Sequence, residues 1–356
     1  MTSPFPSPQR ILVICTRRIG DVLLTTPLTR TLRQAWPQAK IDMLVFAGTE
    51  GILAGNPDLD RVLPLPTRSP WHRRLGELVR LWRRYDLAIS TVPSDRARIY
   101  GWAAGRHHLG FLEERELESK GFWLDQAVTF DDLHTHTVDM VLQLADRLGI
   151  PRIPEVVPPR GNGLLPDGVD RPYVVLHPFP KFNYKMWTPA GWIALAQALR
   201  ANEYEVLLSG GGDPEEVAYC RDIASAAAVR SLAGSLSLGA TADLLRQASL
   251  FVGPDTVVTH LAAACGTPTL ALFGPSNPCK WGPWPHAWQG PASPWAFTGS
   301  RRVGNVHLLQ GEGECVPCRL EGCDRHPQSF SRCLTEMPGE RVIAAALALL
   351  ERPSGA

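Results

Sequence analysis

The chain has 356 residues, 44% of them apolar and 20% charged, with a formal net charge of +1. Such a length predicts about two domains, and the near-neutral balance provides no global field to recruit nucleic acid. No apolar run approaches the roughly 20 residues of a bilayer span, Val342 to Leu350 being too short, and Met1 to Gln9 lack the charged and apolar regions of a secretory signal, so a cytosolic protein is expected.

Arg10 to Cys15 is a short β-branched run of the kind buried in a parallel sheet. A loop with Arg17, Arg18, Gly20 and Asp21 follows, then a helix through Leu23, Leu24, Leu28 and Leu32. Ile41 to Phe46 reads as a strand, a helix is predicted from near Gly48, and Val62 to Leu65 reads as a strand. A strand at Asp86 to Thr91 and helices at Arg96 to Ala104 and His136 to Leu148 continue a βαβ series. Two basic patches punctuate it, Arg68 to Arg84 and Arg96 to His108; solvated helix faces are the plain reading of the first.

Ile150 to Pro172 carries six prolines and three glycines without an apolar period, which predicts a linker. Alternation then resumes: strand Tyr173 to His177, helix Pro189 to Ala201, strand Glu205 to Ser209, helices Pro214 to Ala227 and Ala240 to Gln247, and strand Leu250 to Val252. Trp281 to Val303 is aromatic and loop-like, and Glu340 to Leu350 is a last amphipathic helix. Two α/β halves predict two lobes with a ligand cleft between them.

Gly253 to Pro278 is the most informative segment. It reads as a strand end, a polar turn at Gly253 to Thr256, a small-residue helix, a Gly-Thr-Pro stop, and a buried strand leading to a second Gly-Pro loop. Both loops would open at the carboxyl edge of a parallel sheet, where ligands bind, making Asp255, Thr256, His260, Gly274 and Ser276 candidates for one site. The helix start offers free N–H groups and a positive dipole end, so a phosphorylated ligand is the first inference.

Five segments in order complete a pattern: Arg18-Ile-Gly-Asp-Val-Leu-Leu-Thr-Thr-Pro27, Tyr85-Asp-Leu-Ala-Ile89, Lys185-Met-Trp-Thr-Pro189, Gly253-Pro-Asp-Thr through His260, and Leu272-Phe-Gly-Pro-Ser-Asn-Pro278. Together they resemble the bacterial lipopolysaccharide heptosyltransferases of glycosyltransferase family 9 over nearly the whole chain. The resemblance implies a GT-B fold of two Rossmann-like, doubly wound parallel-sheet α/β domains facing a central cleft. It divides the chain into an acceptor domain at 1–160, a donor domain at 161–335, and a C-terminal helix at 336–356 packing back on the first domain.

By itself Asp21 reads as a helix-start carboxylate offsetting the dipole; the resemblance makes it the general base. Lys185 reads as a surface lysine or, by resemblance, as the charge that stabilises a departing diphosphate. Asp255, Thr256, Val257 and His260 form the nucleotide-sugar corner, with turn and capping roles as the plain alternative. Val257 stands where the family most often has Gly. Ser209, Gly210 and Gly211 resemble the turn that places base and ribose, Asp213 or Glu215 being near enough in sequence to meet ribose hydroxyls; a simple glycine turn is an equal reading. Arg17, Arg18, Arg96 and Arg98 are the candidates for an acidic acceptor, or else solvated surface.

No Asp-x-Asp motif follows the carboxyl end of a predicted strand, so the expected catalysis needs no metal cofactor. Cys315, Cys318, Cys323 and Cys333 have spacings that suit a structural zinc, with reduced thiols or a disulfide as the alternative. The function implied is inverting transfer of heptose from ADP-heptose to the lipopolysaccharide inner core, at the cytoplasmic face of the inner membrane by peripheral contact and on a lipid-anchored acceptor. Two alternatives stand beside it: the same fold using a UDP- or GDP-sugar, and a non-catalytic sugar-nucleotide or glycan binder.

Overall fold

The computed structural model describes residues 7–113, 116, 119, 121–169, 172–290 and 292–351. Residues 1–6, 170–171, 291 and 352–356, which fall in four of the segments read above, lie outside the described residues. The chain forms two compact units, Met1–Pro159 and Arg160–Ala356.

The N-terminal unit is built on six strands: β1 (Arg10–Cys15), β2 (Lys40–Phe46), β3 (Arg61–Leu65), β4 (Tyr85–Ser90), β5 (Gly105–Phe111) and β6 (Gln126–Val128). All pair in parallel in the order β3-β2-β1-β4-β5-β6. Among the described residues four helices accompany them: α1 (Ile19–Ala35), α2 (Trp71–Leu81), α3 (Asp95–Ala104) and α4 (Thr137–Arg147). β1 is central, and Ile11 to Cys15 are fully buried, as a strand covered on both faces must be.

α1 contains Pro27, which has no N–H to give to the carbonyl of Leu23. The Thr26 hydroxyl supplies the missing donor, 2.7 Å from that carbonyl, and itself accepts Val157 N–H at 2.8 Å. Thr31 accepts Ile153 N–H at 3.0 Å. The Thr-Thr-Pro run thus keeps α1 intact and ties the end of the unit to it. Tyr85 and Asp86, side by side in β4, tie it to the first two strands. Tyr85 donates to buried Asp42 on β2 at 2.7 Å, and Asp86 accepts the N–H groups of Gln9 and Arg10 at the start of β1.

The C-terminal unit has β7 (Tyr173–Leu176), β8 (Glu205–Leu208), β9 (Arg230–Ser231), β10 (Leu250–Pro254), β11 (Thr269–Phe273), β12 (Arg301–Val303) and β13 (Val306–Gln310). Their order is β12-β13-β11-β10-β7-β8-β9, parallel except for β12 against β13. The helices are α5 (Pro189–Ala201), α6 (Pro214–Ala227), α7 (Leu238–Gln247), α8 (Val257–Ala264), α9 (Pro278–Trp281), α10 (Arg332–Thr335) and α11 (Gly339–Leu350).

Several expectations are corrected. The helix expected from Gly48 is one 3-10 turn, Glu50–Leu53. Within the C-terminal unit α11 lies against α5, β10 and β11 and sends Val342, Ala346 and Leu349 into the core. β5 was hidden by its polar sequence, Gly-Arg-His-His-Leu-Gly-Phe. Its His108 is buried, bonded to Ser90 Oγ at 2.8 Å and to the Trp123 carbonyl at 2.6 Å, and burial lowers its pKa to about 4. Part of the second basic patch is therefore internal and uncharged.

Candidate active site

In each sheet the order reverses between two strands whose connections leave on opposite faces, β1 and β4 in the first and β7 and β10 in the second. The carboxyl ends at such a switch point form the ligand crevice of a doubly wound sheet. The candidate residues gather at both points.

At the first, Asp21 occupies the third position of α1, directly after β1. Its carboxylate accepts the main-chain N–H of Arg18, the reach-back bond of a helix N-terminus. Burial pushes its pKa above the ordinary carboxylate value, with Arg17 and Arg18 opposing the shift. Those two arginines are exposed. Cys15 ends β1 beside it, and burial first, then Asp21, pushes that thiol up to about 12, so it stays neutral. The result is a proton-accepting carboxylate at a strand end, more basic than a solvated aspartate and flanked by two guanidinium groups.

The other two arginines are committed elsewhere. Arg98 is 1% exposed and pairs with Asp95 at 2.8 Å and Glu116 at 2.6 Å. Arg96 donates to the carbonyls of Thr67 and Pro66 at 2.6 and 2.7 Å and lies over the Phe46 ring. Both hold loops of the N-terminal unit, which the sequence alone did not distinguish from acceptor contacts.

At the second switch point, the Lys185 motif becomes legible as packing. Trp187 is 1% exposed, meets Trp192 edge-on at 5.2 Å, and donates to the Met337 carbonyl at 3.0 Å. A Cβ on Gly191 would lie 2.4 Å from the Trp187 ring, so only glycine fits under it. Thr188 caps α5 by accepting Gly191 N–H, and Pro189 occupies its first turn. Lys185 is fixed two residues before this anchor, in a 3-10 turn, Asn183–Lys185.

Its ammonium lies 2.5 Å from Asp255 Oδ2, just beyond β10. Ser276, from the loop after β11, donates to the same oxygen at 2.6 Å, and His260 Nε2 stands 3.9 Å from Oδ1. Burial alone would raise the pKa of Asp255; Lys185, with His260 and Ser276, more than offsets it and holds the carboxylate below its ordinary value. Burial lowers His260 to about 4 against the pull of Asp255, so its imidazole is neutral. Among the described residues the buried Nδ1 of His260 has no hydrogen-bond partner.

Thr256 precedes α8 without capping it through its side chain, so the first-turn N–H groups, beginning at half-exposed Val257, lack that partner. A Cβ on Gly253 would come within 2.7 Å of the Phe251 ring and 2.9 Å of Thr259 Oγ1, which holds the helix start close to the strand end. A cation, an ordered carboxylate, a neutral imidazole and open helix amides thus converge. That combination can bind a diphosphate and orient a hydroxylated group next to it.

The glycine turn after β8 is held by its own neighbours. Ser209 is buried and bonded to His177 and to the Leu176 carbonyl, and Asp213 caps α6 through Glu215 N–H. Glu216, which the sequence reading passed over, accepts Gly211 N–H and has its pKa raised by burial; the Pro-Glu-Glu following the glycines was the available signal. The Gly210 carbonyl accepts Gly234 N–H at 3.1 Å, and Gly212 is the glycine of this turn at which a Cβ would meet nothing within 4 Å.

The four C-terminal cysteines are free thiols, Cys315 and Cys323 exposed. Cys323 Sγ accepts Arg332 N–H at 3.4 Å, and burial, then the neighbouring thiols, pushes Cys333 up to about 12. Among the described residues no group of three or more His, Cys, Asp or Glu side chains is placed to hold a metal ion. Cys333 is within electrostatic reach of Cys318, Cys323 and Cys315, so the four thiols lie in one region of the C-terminal unit.

Comparison with known proteins follows the same outline. The profile of glycosyltransferase family 9 (heptosyltransferase) matches residues 80–290. Lipopolysaccharide heptosyltransferase 3 of Escherichia coli K12 is 28% identical over 351 residues, covering 93% of this chain and 95% of the relative. Among solved structures, E. coli ADP-heptose lps heptosyltransferase II matches with a TM-score of 0.72 at 22% identity, covering 96% of this chain and 98% of that one. E. coli heptosyltransferase WaaC with ADP matches with a TM-score of 0.72 at 20% identity, covering 96% and 99%. The two parallel-sheet units have the heptosyltransferase GT-B fold, and the chain belongs to glycosyltransferase family 9, the heptosyltransferases.

Proposed function

We propose that the protein transfers heptose from ADP-heptose to a saccharide hydroxyl of the lipopolysaccharide inner core, with inversion. The observation that carries this reading is the Lys185, Asp255, Ser276 and His260 cluster beside the uncapped start of α8. Relatives named for the same transfer support the choice of sugar and acceptor.

Asp21 takes the proton of the acceptor hydroxyl as that oxygen bonds to the anomeric carbon. The bond from that carbon to the diphosphate oxygen breaks, and its electron pair leaves with ADP. Base assistance of this kind suits a carboxylate whose pKa burial has raised. Lys185 gives one N–H to Asp255 and has two more for phosphate oxygens, while the α8 amides receive the growing negative charge. Asp255 holds the lysine in place, and the unpartnered Nδ1 of His260 meets a sugar hydroxyl. Arg17 and Arg18 attract the acidic acceptor, which is lipid-anchored and met at the cytoplasmic face of the inner membrane.

A thermal-shift panel tests the donor assignment: ADP raises the unfolding midpoint, and UDP and GDP leave it in place. A shift with UDP or GDP alone would reassign the donor, Val257 being the residue to examine.

A further inference from the structure

Helix α2 is amphipathic in sequence yet contributes only Leu81 to the buried set. Trp71, Leu75, Val79 and Trp82 recur at helical spacing and are 76%, 53%, 67% and 51% exposed. They form one apolar stripe turned away from the unit that carries it. The stripe continues beyond the helix, because Trp82 meets Trp102 edge-on at 5.3 Å, Trp102 meets Trp123 at 5.3 Å, and Phe122, 71% exposed, lies against Trp123.

The flanks are strongly basic. Between residues 68 and 84 stand Arg68, Arg73, Arg74, Arg80, Arg83 and Arg84 against a single carboxylate, Glu77. All six arginines are exposed, and Glu77 is turned inward to accept the Tyr100 hydroxyl. Arg83 lies over the Trp82 ring at 5.5 Å, placing a cation at the edge of the apolar stripe. Among the described residues no helix is long and apolar enough to cross a membrane.

We infer that α2, with the Trp102 and Phe122 surface beside it, is a docking surface for an anionic lipid bilayer, lying in the interface plane. Tryptophan, leucine and valine enter the boundary between headgroups and acyl chains while the arginines remain with the lipid phosphates. Charge decides the occupant. A second copy would bring the same six arginines face to face, whereas an anionic leaflet neutralises them. The placement rests on the proposed lipid-anchored acceptor, because a bilayer-bound enzyme meets such an acceptor in two dimensions.

Flotation of the full-length protein with phosphatidylcholine vesicles, alone or mixed with phosphatidylglycerol, tests the surface. Wild type floats with the anionic vesicles and far less with the neutral ones. Leu75→Glu/Val79→Glu lowers the bound fraction on anionic vesicles by roughly tenfold or more. The same variant keeps its unfolding midpoint and its shift with ADP, which separates docking from folding and donor binding. Equal flotation of variant and wild type, or none by wild type, overturns the inference. A wild-type dimer that the variant converts to monomer also overturns it, in favour of a second copy. Transfer to a delipidated soluble core saccharide survives in the variant. If wild type transfers heptose to no acceptor while vesicle binding still depends on Leu75 and Val79, the proposed function fails and the docking surface stands.

Discussion

Lys185 and Asp255 lie 70 residues apart in sequence and 2.5 Å apart in space, joined because β7 and β10 are neighbours. The pair is mostly buried, with side-chain exposures of 20% and 8%. Lys185→Met strands a buried carboxylate. Breaking such a pair costs up to about 3–5 kcal/mol, and the partial exposure of the lysine reduces this to about 2 kcal/mol. Asp255→Asn on that background should recover about half, since no charge is left unpaired. Chemical denaturation of both variants checks this; equal losses would show that Lys185 does not compensate Asp255. The depressed pKa of Asp255 makes its stabilisation present above about pH 3.9, lost as pH falls through the lower folded value.

Asp21→Asn should cut turnover by about 10²-fold or more while leaving the ADP shift unchanged. Because burial raises the pKa of Asp21, kcat/KM should fall as pH drops through that raised value. Arg17→Ala and Arg18→Ala remove opposing positive charge, raise the pKa further, and should move the acid limb to higher pH. An acid limb that does not respond to either arginine would assign that titration to another group.

Three buried histidines, His108, His177 and His260, each have a pKa lowered to about 4, with burial the leading cause. In the unfolded chain they bind protons near pH 6.5, so between about 6.5 and 4 the unfolded state holds more protons than the native one. Stability therefore rises with pH across this window and is lost on acidification. The unfolding midpoint should fall by roughly 5 °C or more between these limits. His177→Asn should flatten the slope; a pH-independent midpoint would show that these histidines titrate normally.

Thr26→Val removes the hydroxyl that serves the Leu23 carbonyl and Val157 N–H, at a cost of about 2–3 kcal/mol. Adding Pro27→Ala restores a main-chain donor to Leu23 and should return about 1 kcal/mol. Urea denaturation distinguishes this from simple loss of packing, which the second change would not repair.

The division into two α/β halves was legible in the chain, because parallel strands buried on both faces must be continuous apolar runs. The Lys185 motif and the Gly253 to Pro278 segment announced themselves through glycine, proline and threonine at turns and helix starts. Composition was silent where partners come from far away. Arg96 and Arg98 look like ligand arginines in sequence, and whether a guanidinium meets solvent or a buried carboxylate is set by residues such as Glu116 and Thr67. The polar strand β5 and the neutral state of His108 depend in the same way on Ser90 and Trp123. Local chemistry determined where the chain turns, which segments are buried and which residue types stand at strand ends. Tertiary structure alone decided which charges meet, because hydrogen bonds, burial and pKa depend on distances of a few ångströms between groups that strand order, not sequence, makes neighbours.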